Sequence, residues 1–273
     1  MLTQILRYRI LESPVQKLPD TRDTIEPMGE PGGRDLGARR IAFFGGSFDP
    51  PHMGHIGVAR AAQAALELDT VLFAPVGMQP LKPLGPTASF EDRVAMTELA
   101  IQGLPNFAIS FADAPDSSGE PNYTIDTLNR LQAQFPSAQL YTLMGADSFL
   151  SLGRWYRGPE IPFIAPLIVA SRPGQELDLK AVLPEGLTIS TAEESDEAIL
   201  PANDGVRLSV FTVHNPSGAS APFYVMPGLE IEISASDIRR QVSAALDHLC
   251  AGHELLPDSV CNYIAANGLY RNA

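Results

Sequence analysis

The chain has 273 residues, enough to bury a sizeable core in one α/β domain. Its formal net charge of −13, with 3 lysines among 19 basic residues, makes it a poor candidate for sequence-independent nucleic-acid binding. No apolar run reaches about 18 residues and Met1–Pro14 lacks a signal-peptide core, so no membrane contact is expected and the expected location is cytoplasmic.

Residues 1–38 hold prolines, glycines and mixed charge, with no sustained apolar period after Leu11. They are expected to be a disordered extension ahead of a single domain over 39–273. Strands are expected at 40–45, 70–76, 106–111, 139–145, 163–170 and 223–226. Helices are expected at 54–67, 90–103, 124–134 and 147–152. Residues 174–222 break this alternation with the acidic run Glu193–Glu197 and a Pro/Gly/Ser stretch from Asn215 to Pro222. They read as an insertion or long loop. Two closing helices, 236–247 and 257–267, follow. Cys250 and Cys261 have no partners at metal-ligand spacing and read as buried thiols. Strand–helix alternation of this kind implies a doubly wound parallel sheet with helices on both faces, and ligands at the carboxyl ends of the strands.

Residues 45–55, Gly-Gly-Ser-Phe-Asp-Pro-Pro-His-Met-Gly-His, follow the first strand and lead into the first helix. A strand, a glycine turn and a helix start place backbone N–H groups where a phosphate would sit. Gly45, Gly46 and Gly54 let backbone approach a ligand closely. His52 and His55 can donate to phosphate oxygens. The string is not Gly-x-Gly-x-x-Gly, which would suggest a dinucleotide-dependent dehydrogenase. The His-x-Gly-His spacing and the whole string resemble the bacterial nicotinate-nucleotide adenylyltransferases of the nucleotidyltransferase superfamily. That resemblance implies a Rossmann-like sheet and the joining of ATP to nicotinate mononucleotide, with release of pyrophosphate. It implies no side-chain nucleophile. Mg²⁺ would accompany ATP, held by phosphates and water, because no carboxylate cluster offers a dedicated site.

Further stretches extend the resemblance over residues 40–173 and 223–271. Lys82 follows a proline-stiffened loop, as in the family, and is expected at the phosphates with His52, His55 and Arg239. Arg93, in a segment similar to the family's Arg-x-x-Met helix, suits either an ion pair or the site. Ile233-Ser234-Ala235-Ser236-Asp237-Ile238-Arg239 resembles the family's Ile-Ser-Ser/Ala-Thr-x-Ile-Arg motif. Ser236 replaces the usual threonine and is expected to cap the helix, with Ser234 beside it at the phosphates. Ser47, Phe48, Gly145, Asp147 and Arg172 match further family positions around ATP. On the acceptor side, Asn122-Tyr123-Thr124 resembles Ser-Tyr-Thr, where free N–H groups at a helix start suit a carboxylate. Trp155, with Tyr156 next to it, corresponds to the family residue that stacks on the pyridine ring. Val260, Tyr263, Ile264 and Tyr270 read as packing residues. Alternatives are a nicotinamide or dual-specificity enzyme, or a non-catalytic nucleotide-binding regulator on the same fold.

Overall fold

The computed structural model describes residues 39–81, 85–116, 119–171, 178–191, 208–226, 233–250 and 255–271. Residues 1–38, Lys82 and Arg172, on which expectations above rest, lie outside these. Strands β1 (Arg40–Gly46), β2 (Thr70–Pro75), β3 (Phe107–Ile109), β4 (Gln139–Gly145), β5 (Leu167–Ala170), β6 (Thr188–Thr191), β7 (Ser209–His214) and β8 (Ser220–Met226) form one sheet. Their order is β3-β2-β1-β4-β5-β8-β7-β6. The first six in that order run parallel, and β7 and β6 add antiparallel strands at one edge. The chain reverses direction across the sheet between β1 and β4. In open α/β sheets the crevice at such a switch point takes the ligand.

The two faces of β1 explain why this stretch becomes a central strand. Ile41 and Phe43 enter a core with Ile125, Leu128 and Leu131 of α3 (Thr124–Gln134). Ala42 and Phe44 point the other way, onto Ala59, Ala62, Ala65 and Leu66 of α1 (Met53–Leu66). Alternate residues of a strand face opposite sides, so an apolar run is buried on both. A third cluster joins Ile56 of α1 to Met96 and Ala100 of α2 (Phe90–Ile101). The chain's last two helices complete it through Ile238, Val242, Val260 and Ile264. Between these come α4 (Ala146–Leu150), α5 (Ile161–Ile164) and α6 (Leu179–Val182); α7 (Ala235–Cys250) and α8 (Asp258–Asn267) close the chain.

Several expectations shift. The strand expected at 163–170 begins only at Leu167, because Pro162 opens the short α5 and Pro166 separates it from the strand. Within the expected insertion at 174–222, the described residues build α6, β6, β7 and the first part of β8. The polar, proline-interrupted pattern there belongs to an edge of the sheet that is only partly buried. Cys261 is buried as expected, but in a disulfide rather than as a thiol.

Candidate active site

The carboxyl ends of β1, β4 and β5 open into one cavity of about 910 Å³. Its floor is the turn from β1 into α1. An added Cβ on Gly45 would lie 2.8 Å from the buried Phe43 ring, which would have to shift. Phe48 takes a positive φ of 46° and is buried to 1 % exposure. Its ring meets the His55 ring edge-on at 5.0 Å. Phe48, expected at the nucleotide, therefore offers backbone to the cavity while its side chain supports a histidine.

His52 caps α1 and His55 stands one turn in, with their rings stacked at 3.7 Å. The His52 backbone N–H donates to His55 Nδ1 at 3.1 Å. A nitrogen that accepts cannot carry the proton of a neutral ring, so the His55 proton sits on Nε2. Burial lowers the His52 pKa to about 4. Burial, then the neighbouring His52, holds His55 well below the ordinary histidine range. Both rings are thus neutral donors before any phosphate arrives. His52 Nδ1 is buried without a hydrogen-bond partner in the protein. An added Cβ on Gly54 would lie 3.0 Å from that nitrogen, so glycine at this position leaves the imidazole its place.

Beneath the histidines lies a network organised by Asp49, a residue the motif contains but sequence reasoning passed over. Asp49 is 3 % exposed. Its carboxylate accepts from the Thr87 and Ala88 backbone N–H groups at 2.7 and 3.0 Å and from the Tyr270 hydroxyl at 2.8 Å. Arg239 pairs with it at 3.5 Å and donates to its carbonyl at 2.7 Å. Tyr270, read as packing, therefore also positions Asp49; burial, then the nearby carboxylate, pushes its pKa strongly upward. Arg93 is buried outside the cavity and donates to the carbonyls of Ser47 and Val76 at 2.8 and 2.9 Å. It ties the two turns together rather than meeting a ligand.

The remaining residues fall at two ends. At one, Ser234, Ser236 and Arg239 line the cavity at the start of α7. That helix begins at Ala235, so Ser236 is not the cap but a first-turn residue, accepting from Arg239 at 3.2 Å. At the other, Tyr123 and Thr124 line the cavity where α3 starts without a side-chain cap. The Tyr123 ring packs 4.7 Å from that of Tyr156. Trp155 is half-buried and donates from its indole to Ser151 Oγ at 2.9 Å. Between the ends, Ser47, Gly46, Gly145 and Asp147 line the wall. An added Cβ at Gly145 would meet no atom within 4 Å, so no protein neighbour demands glycine there. Asn122 stitches two loops, accepting from Met78 N–H at 3.0 Å and donating to the Ala114 carbonyl at 2.9 Å. Asp113, another unpredicted lining residue, accepts from Thr127 Oγ1 at 2.7 Å, and burial raises its pKa to about 6. A buried acid in a strand-end loop carries no sequence signal of its own; only a motif match could have marked it.

The cytidylyltransferase-like family model matches residues 43–241. A probable nicotinate-nucleotide adenylyltransferase of Gloeobacter violaceus is 35 % identical over 232 residues, covering 85 % of this chain and 96 % of the relative. One from Thermomicrobium roseum is 36 % identical over 235 residues, covering 85 % and 92 %. The Plasmodium falciparum nicotinic acid mononucleotide adenylyltransferase, solved with NaAD, shares the fold at a TM-score of 0.61 and 16 % identity, over 86 % of this chain and 98 % of that one. Near-complete coverage of these curated relatives, at 35 % and 36 % identity, places the chain in the nicotinate-nucleotide adenylyltransferase family.

Proposed function

We propose that this cavity transfers the adenylyl group of ATP to nicotinate mononucleotide, giving nicotinate adenine dinucleotide and pyrophosphate in NAD biosynthesis. The observation that carries the reading is the His52–His55 turn at the sheet's switch point, with helix starts at both ends of one cavity. An oxygen of the mononucleotide phosphate attacks the α-phosphorus of ATP in line. The new P–O bond forms as the bond to the α,β-bridging oxygen breaks, and pyrophosphate leaves. Such a step needs alignment and charge stabilisation rather than a protein nucleophile. Neutral His52 and His55 donate to phosphate oxygens, and incoming negative charge raises their pKa values, so their donors strengthen where charge accumulates. Arg239, held by Asp49 and lining the same cavity, offers a cation to these oxygens in this reading. Lys82 and Arg172 extend this reading by family position alone.

Among the described residues no group of three or more His, Cys, Asp or Glu side chains could hold a metal ion. Mg²⁺ belongs in this reading as the companion of ATP, carried by its phosphates and water. Incubating the full chain with ATP, Mg²⁺ and nicotinate mononucleotide should release pyrophosphate and form the dinucleotide. Binding of ATP without turnover would instead favour a nucleotide-binding regulator.

A further inference from the structure

The cationic side chains around the cavity are, among the described residues and with one exception, already engaged. Among the described residues, Arg154 and Arg239 are the two arginines that line it, and no described lysine does. Arg239 is held by Asp49 and Ser236. Close by, Arg157 pairs with Glu160 at 2.6 Å, and Arg130 donates to Thr127 Oγ1 and the Ala112 carbonyl. Arg154 makes no side-chain hydrogen bond or ion pair among the described residues. It is exposed and ends the single 3₁₀ turn Leu152–Arg154, directly before Trp155 and Tyr156. Tyr156 packs on Tyr123, so this turn and the start of α3 wall the same end of the cavity.

Asp113 and Asp147 also line the cavity. An anionic ring substituent is held more firmly by a cation than by a few backbone N–H groups alone. A planar guanidinium supplies paired donors matched to a carboxylate, and a neutral carboxamide, with its own N–H₂, uses them poorly. Resting on the adenylyl-transfer reading above, we infer that Arg154 is a specificity-determining residue that pairs with the pyridine carboxylate of the acceptor nucleotide. The alternative anion, the acceptor's phosphate, is common to the nicotinate and nicotinamide substrates, and this separates the two roles.

The test measures kcat/KM of the full chain, with saturating ATP, for nicotinate and nicotinamide mononucleotides in wild type, Arg154→Gln and Arg154→Lys. Arg154→Gln should lower the nicotinate-to-nicotinamide ratio about tenfold, through KM for the nicotinate substrate, as expected for loss of one charge-assisted pair. Arg154→Lys should recover part of the ratio, which a merely structural role would not produce. A ratio unchanged in Arg154→Gln overturns the inference: equal loss with both substrates assigns Arg154 to the phosphate, and no loss assigns it to the surface. A wild-type chain that forms no dinucleotide from either substrate overturns the adenylyl-transfer reading itself, and this inference with it.

Discussion

At the scale of single residues, the histidine pair carries the sharpest expectations. His55→Ala should lower kcat by about 10²–10⁴-fold, the range for removing a preorganised donor from a developing negative charge. A folded variant that keeps more than about a tenth of the wild-type rate would contradict this role. His52 also links the site to stability. Its folded pKa of about 4 lies below the ordinary 6.5, so protons bind the unfolded chain more readily. The stabilisation is complete above pH 6.5 and is lost as pH falls from there toward 4, by roughly 3 kcal/mol at about 1.4 kcal/mol per pH unit. Between pH 7 and pH 4 the urea midpoint of wild type should therefore fall relative to that of His52→Gln. Asp113, raised from 3.8 to about 6, acts with the opposite sign: its contribution is present below 3.8 and lost as pH rises through 6. Taking the difference between wild type and His52→Gln removes that shared background. The motif made both histidines visible in the sequence. Their neutrality was not visible, because it follows from burial beneath Phe48 and neighbours brought in by the fold.

Among the elements, those buried on one or both faces were the easiest to read. β1, β2, β4, α1, α2 and α3 lie within a residue or two of their expected bounds, since apolar periodicity and burial agree there. β6 and β7 were missed because a partly exposed edge needs no apolar signal. The loops that position the acceptor end were also illegible as structure, since their partners are distant in sequence. Asn122, for example, contacts Met78 across 44 residues. Gly77 sits in the same joint, where an added Cβ would lie 2.6 Å from Pro115 backbone atoms and 2.7 Å from Asn122 Oδ1. Gly77→Ala should cost about 1–3 kcal/mol in chemical denaturation, as overpacking commonly does. It should also raise KM for the acceptor more than for ATP. An alanine variant as stable as wild type would show that the two loops separate freely.

For the molecule as a whole, every described residue of the site lies within 44–239, apart from Phe43 on the lining and Tyr270 beneath it. Deleting residues 1–38 should leave kcat/KM within about twofold, because their composition cannot support a packed core of its own. Loss of activity or of soluble protein in the truncated chain would show that the segment docks on the rest. The sheet order was legible as a class, since alternating strands and helices admit few topologies. The closing of the C-terminal helices onto the β1–α1 turn was not, because the Tyr270–Asp49 bond spans 221 residues. Tyr270→Phe removes one hydrogen bond to a buried carboxylate and should cost about 1.5–3 kcal/mol. A melting curve unchanged from wild type would mean that Asp49 needs no such partner. That long span also has a temporal meaning. On the ribosome, Asp49, the histidines and most of the sheet emerge well before Tyr270. The carboxylate that holds Arg239 therefore gains the Tyr270 hydroxyl only after the strands, the histidines and Arg239 itself have been made, so this bond is completed late in the order of synthesis.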